Sequence, residues 1–145
     1  MTPEPMTVAG AGRALVIQTC LLAGNGPPTS VLICDDRPGV LHGLTRMLRP
    51  LPTLVDIDWV PDGFALLDTL AVRAAGLVLI GIHSGNTTGA EAVSLSLAMH
   101  PSTEIIVFGS LPDLDILAQA FARGARGLLL WEPDEPPDPR TAGVA

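Results

Sequence analysis

The stretch VLICDDRPGVLHGLTRML, residues 31–48, contains the pattern that decides the fold. Its first four residues form a continuous apolar run, which is typical of a strand buried on both faces of a parallel sheet. Asp35 and Asp36 end this run, and Pro38 stands where the first turn of a helix tolerates proline. Apolar residues then recur at helical spacing as far as Pro50. The stretch therefore predicts a strand followed by a helix, the first half of a βαβ unit.

The same alternation of strand and helix continues to residue 131. Further strands are predicted at 54–60, 77–82, 104–108 and 127–131, and further helices at 64–74, 90–100 and 111–123. The strand LVDIDWV alternates apolar and acidic residues, which is typical of a half-exposed edge strand. Right-handed crossovers join parallel strands, so this order predicts an α/β fold. The expected architecture is a flavodoxin-like, doubly wound five-stranded parallel sheet with strand order 2-1-3-4-5.

The two ends of the chain differ in composition from this regular part. Residues 1–29 are interpreted as an N-terminal extension with a short helix over 14–22, and residues 30–131 as the domain itself. Residues 132–145 are an acidic, proline-rich tail or the start of a last helix. Because that helix would have only about seven residues, we expect it to be truncated or frayed.

Composition excludes several classes of function. The chain has 145 residues, all eight of its basic residues are arginine, and without lysine neither a Schiff base nor a P-loop can form. The net charge of −7 disfavours direct binding of these residues to DNA. Two cysteines in a chain without a secretory pattern indicate reduced thiols and a cytoplasmic location. We expect no membrane span, no cofactor and no enzymatic activity.

Functional residues of such a sheet lie at the carboxyl ends of its strands. The residues expected there are Asp35, Asp36, Gly81, Gly109, Ser110 and Trp131.

Two motifs carry a resemblance to a known family. VLICDDRPGVLHGLTRML resembles the opening of a bacterial response-regulator receiver domain of the NarL/LuxR type, and FARGARGLLLW, residues 121–131, is similar to the end of its fourth helix and its fifth strand. The resemblance covers residues 31–131 and implies the CheY-like form of the fold and a place in a two-component system. It also implies a phosphorylation pocket, in which an acidic pair binds Mg²⁺ and an aspartate after the third strand accepts the phosphoryl group. A serine or threonine after the fourth strand and a lysine after the fifth complete that pocket.

Three positions of this pocket depart from the family. The acidic pair matches as Asp35 and Asp36, but the third-strand position falls on Gly81, the fourth on Gly109 beside Ser110, and the fifth on Trp131. Since glycine supplies neither a nucleophile nor a metal ligand, phosphorylation at the usual place is excluded. An Mg²⁺ site on the acidic pair alone would be weak.

Several interpretations of these residues stay open. Asp35 and Asp36 either cap the first helix, which is favoured, or bind a metal ion; without that ion, one of them would pair with Arg37 or bind a proton more readily. The lost side chains leave either a volume that Trp131 fills or a pocket for an apolar small molecule. That pocket would be lined by Ile82, His83, Phe108 and Trp131.

The resemblance, together with the three departures from it, implies an atypical, phosphorylation-independent receiver domain that regulates transcription. Its DNA-binding domain would lie outside this chain, and control would come from a small-molecule ligand or from dimerisation. The predicted homodimer face consists of Asp113, Asp115, Arg123 and Arg126, with the two acids also explained as caps of the fourth helix. The alternative is a free-standing module that binds other proteins.

Overall fold

The computed structural model describes residues 4–8, 12–17, 28–82 and 88–132. Its strands are β1 (Glu4–Val8), β2 (Gly12–Ile17), β3 (Thr29–Cys34), β4 (Leu54–Val60), β5 (Leu77–Gly81), β6 (Glu104–Gly109) and β7 (Gly127–Glu132). Its α-helices are α1 (Pro38–Leu48), α2 (Gly63–Val72), α3 (Gly89–Met99) and α4 (Leu114–Ala122), and a 3₁₀ turn at Leu111–Asp113 precedes α4.

The sheet contains the predicted parallel arrangement. Its full order is β1-β2-β7-β6-β5-β3-β4, and the five parallel strands β3 to β7 have the order 2-1-3-4-5 when numbered among themselves. The central strands β3 and β5 pair in the register Val31↔Leu77 to Cys34↔Ile80, and all of these side chains are buried. The predicted α/β, flavodoxin-like fold is confirmed.

Helices on both faces of the sheet create two apolar cores. On one face, α1 packs Leu41, Leu44 and Leu48 against a cluster that includes Ile33 and Phe108. On the other face, α2, α3 and α4 pack against the opposite side of the same strands. Because consecutive residues of a strand point to opposite faces, the uninterrupted apolar runs supply both cores at once.

The edge strand β4 is irregular near its start. Its pairing with β3 shifts so that Ser30 is opposite Val55 and Val31 is opposite Ile57. The intervening Asp56 has a positive φ of 50°, a left-handed conformation that aspartate tolerates better than most residues. The sequence predicted this strand at an edge, and the structure adds a bulge to it.

The N-terminal segment corrects one prediction. Residues 14–17 belong to β2, which forms an antiparallel hairpin with β1 and pairs antiparallel with β7, so the predicted helix is wrong over these four residues. A short apolar run such as ALVI is compatible with either structure, and the open edge of β7 offers hydrogen-bond partners that a helix would leave unused. Residues 18–22 of that predicted helix, and the predicted last helix in the tail, lie outside the described residues.

Two helix ends follow the sequence closely. The side chain of Asp62 caps α2 by accepting a hydrogen bond of 2.9 Å from the backbone N–H of Ala65. Gly124, which follows α4, has a φ of 120°, which favours glycine. Within the described part of the chain, no helix is long and apolar enough to cross a membrane.

Candidate functional site

The carboxyl ends of β3, β5 and β6 meet at one edge of the sheet. Asp35 directly follows β3, Gly81 ends β5 and Gly109 ends β6. β5 lies between the other two strands, and Gly81 is paired with Phe108. The fold therefore brings these three predicted positions together.

Asp35 is fully buried and bound to Arg37. Its Oδ1 accepts hydrogen bonds from the backbone N–H of Arg37 at 2.8 Å and from Nε at 3.0 Å, and its Oδ2 accepts one from Nη2 at 2.8 Å. Such a two-pronged contact is the strongest geometry between arginine and a carboxylate. Asp36, in contrast, is exposed.

These contacts decide between the interpretations of the acidic pair. The N-cap of α1 is Arg37, and it makes no side-chain cap hydrogen bond, so the capping interpretation is wrong. The alternative that one aspartate pairs with Arg37 is confirmed for Asp35.

The electrostatic surroundings of Arg37 favour its charged form. Its hydrogen bond with Asp35 raises the pKa of the Arg37 guanidinium, partial burial lowers it, and nearby negative charges raise it further. Those charges belong to Asp35, Asp36 and Asp113. Arg37 therefore stands among three carboxylates as a permanent cation.

The Asp35 carboxylate lies directly over Gly81. A β-carbon added to Gly81 would collide with Oδ2 of Asp35, and it would lie 3.0 Å from Cζ of Phe108. Any side chain at this position therefore requires Asp35 to move. Glycine at position 81 is thus the condition for the observed position of Asp35 beside Arg37.

The space around Gly109 is filled by neighbouring side chains. A β-carbon there would lie 3.1 Å from Cγ2 of Ile82 and 3.3 Å from Cδ1 of Leu117. Ile82 and Phe108, two of the four residues predicted to line a ligand pocket, are 6% and 1% exposed. His83 and the side chain of Trp131, the other two, lie outside the described residues. The described half of the predicted pocket is packed.

Asp113 binds Ser110 instead of capping α4. Its Oδ2 accepts hydrogen bonds from the backbone N–H of Ser110 at 3.1 Å and from the hydroxyl at 3.0 Å. Asp113 is at the N-cap position of α4 but makes no side-chain cap hydrogen bond, so the capping explanation is wrong for this residue. The hydroxyl next to the fourth-strand position is therefore directed at a carboxylate.

The remaining residues of the predicted dimer face lie on and after α4. Asp115 and Arg126 are exposed, and Nη1 of Arg123 donates a hydrogen bond of 3.0 Å to Oγ of Ser94. Arg123 thus has a partner on α3 within the same chain.

The described residues do not fit an Mg²⁺ ion at this edge. Magnesium takes six oxygen ligands in a nearly octahedral arrangement, and several of them must come from carboxylates or water. Both oxygens of Asp35 already accept N–H groups of Arg37, and Gly81 adds no ligand. Over the described ranges, no group of three or more His, Cys, Asp or Glu side chains could hold a metal ion.

A surface cleft on α1 was not predicted. It has a volume of about 560 Å³ and is lined by His42, Thr45, Arg46, Arg49 and Pro50, on the outward side of the helix. The lining residues of α1 are three or four positions apart, so the sequence could have indicated that they share one face of the helix. Arg46 and Arg49 lie at the C-terminal end of α1, where a positive charge interacts favourably with the helix dipole. This interaction accounts for the two arginines without a ligand.

Comparison with known proteins gives one curated relative. No family model matches the chain. Over 100 residues the chain is 26% identical to the transcriptional regulatory protein LnrK of Bacillus subtilis (strain 168). The aligned part covers 69% of this chain and 46% of the relative. The chain thus spans about half the length of the curated relative it matches.

Solved structures share the arrangement of strands and helices. A two-component response regulator of the LuxR family from Aurantimonas sp. SI85-9A1 has a TM-score of 0.63 at 19% identity, over 70% of this chain and 72% of that chain. The signal receiver domain of an HD domain-containing protein from Pseudomonas fluorescens Pf-5 has a TM-score of 0.60 at 27% identity, over 69% of this chain and 72% of that chain.

Proposed function

We propose that this chain, which has the fold of a response-regulator receiver domain, regulates transcription without being phosphorylated on an aspartate. DNA would be bound by a part of the protein outside this chain; the curated relative, of which this chain spans 46%, is named a transcriptional regulatory protein. In this proposal the chain acts as a regulator in the cytoplasm and not as an enzyme. The observation that carries the proposal is the Asp35 carboxylate held over Gly81 by Arg37.

The chemistry of phosphoryl transfer supports this proposal. The reaction depends on a positioned nucleophile and on cations that neutralise the charge developing on the phosphoryl oxygens. Gly81 has no nucleophile, and the buried Asp35 is oriented toward Arg37 by three hydrogen bonds. Arg37 is also already engaged, so it cannot serve an incoming phosphoryl group without releasing Asp35.

We expect phosphoryl analogues to leave the domain unchanged. Beryllofluoride or acetyl phosphate with Mg²⁺ should shift no amide resonance of residues 35–37, 81 or 109–110 in NMR spectra, and the intact mass should stay constant after acetyl phosphate. A gain of one phosphoryl group, or a saturable shift centred on Gly81, would contradict the proposal. Phosphate with Mg²⁺ at equal ionic strength is the control for nonspecific ion effects.

Without phosphorylation, we propose that output depends on self-association through α4. Leu114 and Ile116 are large apolar residues that are 44% and 43% exposed, and the exposed Asp115 stands between them. Arg126 supplies the opposite charge nearby in the chain. In a two-fold dimer each contact occurs twice, so a pair between Asp115 of one copy and Arg126 of the second copy would form twice.

A charge swap tests this dimer. Either single reversal, Asp115→Arg or Arg126→Asp, should weaken the dimer at least about tenfold, because like charges then face each other. The double variant should recover the affinity of the wild-type chain. Sedimentation velocity over a concentration series measures the effect, with Asp68→Arg on the exposed side of α2 as the control. A wild-type chain that stays monomeric, or single variants that dimerise like the wild type, would contradict this arrangement.

Control by a ligand and a role as a free-standing module are the two alternatives to control by dimerisation. A ligand would have to displace the buried side chains of Ile82 and Phe108, which favours dimerisation. Quenching of tryptophan fluorescence by a metabolite in the wild type, and not in Trp131→Ala, would favour the ligand. A free-standing module is compatible with the same fold; a helix-turn-helix encoded downstream of Ala145 would favour the transcription regulator.

A further inference from the structure

We propose that Arg37 replaces the divalent cation at the carboxyl edge of the sheet, and that removing its side chain opens a site for Mg²⁺ or Mn²⁺. This inference rests on the proposed function, since it explains how the domain keeps its acidic edge stable without a metal ion.

The buried position of Asp35 requires a compensating group nearby. Its side chain has 0% exposure, whereas the side chain of Arg37 is 49% exposed. A carboxylate removed from water needs a positive charge or several hydrogen-bond donors close to it. Arg37 supplies both, because Nε and Nη2 bind the two oxygens while the guanidinium carries the charge.

Negative charges outnumber the positive charge of Arg37 at this edge of the sheet. Three carboxylates act on Arg37, since Asp35, Asp36 and Asp113 each raise its pKa through their charge. One positive charge therefore faces three negative charges, and loss of Arg37 would remove the charge that offsets them. This is the electrostatic situation that attracts a divalent cation to carboxylates.

Solvent reaches the Arg37 side of this site. Because about half of the Arg37 side chain faces solvent, truncation to alanine would let water and a hydrated ion reach the oxygens of Asp35. Asp36 follows directly in the chain and is exposed, so it could turn toward the same ion. Mg²⁺ usually keeps several waters and binds through one or two carboxylates, which is what the truncated edge would offer.

The experiment compares thermal unfolding with EDTA and with Mg²⁺ for the full chain. In the wild type, Mg²⁺ should change the melting temperature by less than about 1 °C. Arg37→Ala should melt well below the wild type in EDTA and recover by about 4 °C when the ion is present at ten times its dissociation constant. Mn²⁺ should broaden the amide resonances of residues 35–36 and 81 in Arg37→Ala only.

Three further variants separate metal binding from general effects. Arg37→Lys keeps a cation at this place and should show no response to Mg²⁺. The double variant Asp35→Asn/Arg37→Ala lacks the buried carboxylate and should also show none. Arg73→Ala breaks the exposed pair in which Nη2 of Arg73 lies 3.0 Å from Oδ2 of Asp58, and it should behave as the wild type in both solutions.

Two results would overturn the inference. One is a wild-type chain that responds to Mg²⁺ as strongly as Arg37→Ala. The other is an Arg37→Ala chain that Mg²⁺ neither stabilises nor refolds; Arg37→Gln, which preserves more of the packing, must then fail as well. If the wild type responds to Mg²⁺ as strongly as Arg37→Ala and acetyl phosphate adds no mass, this inference is overturned and the proposed function stays intact. A gain in mass would overturn the proposed function itself.

Discussion

The Gly81→Asp variant should remain unphosphorylated and should be less stable than the wild-type chain by about 3 kcal/mol. An aspartate at position 81 does not create a phosphorylation pocket, because its β-carbon would collide with Oδ2 of Asp35. Two carboxylates would also compete for Arg37 in a buried place, which adds like-charge repulsion. Urea unfolding measures the stability, and intact mass after acetyl phosphate measures the modification.

Two alanine variants separate the causes of this loss. Gly81→Ala adds only the β-carbon and should lose about 2 kcal/mol, while the matched variant Gly39→Ala should be neutral or slightly stabilising. A β-carbon at Gly39, in the first turn of α1, would meet no atom within 4 Å. If Gly81→Ala proved as stable as the wild type, the Asp35 carboxylate would not lie over Gly81.

The two neighbouring aspartates should respond very differently to substitution. Asp35→Ala removes three hydrogen bonds from a fully buried group and should lower the free energy of unfolding by about 2–3 kcal/mol. Asp36→Ala removes an exposed side chain and should leave the melting temperature unchanged. Thermal unfolding of the two variants beside the wild type checks this contrast.

Comparable losses of stability in Asp35→Ala and Asp36→Ala would contradict this contrast, because a metal-binding pair would depend on both carboxylates. Asp35→Asn serves as the second comparison, since the amide keeps the size of the side chain but can accept at only one of its two positions. Its stability should fall between those of Asp35→Ala and the wild type.

The regular part of the fold could be predicted because each element carries its own signal. The apolar runs of β3 and β5 are buried on both faces, and the alternating residues of β4 lie at an edge, as the patterns indicated. Asp62 caps α2 through a contact with a residue three positions later, which sequence spacing alone specifies.

The side-chain contacts of the site could not be predicted in the same way. Asp35 and Arg37 are two residues apart at the junction of a strand and a helix, where spacing does not fix the directions of side chains. Whether Asp35 turned inward depended on Gly81, which is 46 positions away in the sequence. Only the paired register of β3 and β5 brings the carboxylate over that glycine.

The hairpin of β1 and β2 was missed for a related reason. Its apolar residues, ALVI, do not distinguish a strand from a helix, and the deciding partner is β7 at the far end of the chain. A local pattern cannot show that a distant strand still has an unpaired edge.

The bulge at Asp56 and the hairpin together limit how copies of this chain can polymerise. One outer strand, β4, is interrupted by a left-handed aspartate, and the other, β1, contains Pro5, which has no N–H to offer an added strand. Neither border therefore provides an uninterrupted template for extending the sheet from molecule to molecule. Concentrated solutions of the chain should therefore not extend the sheet into fibrils.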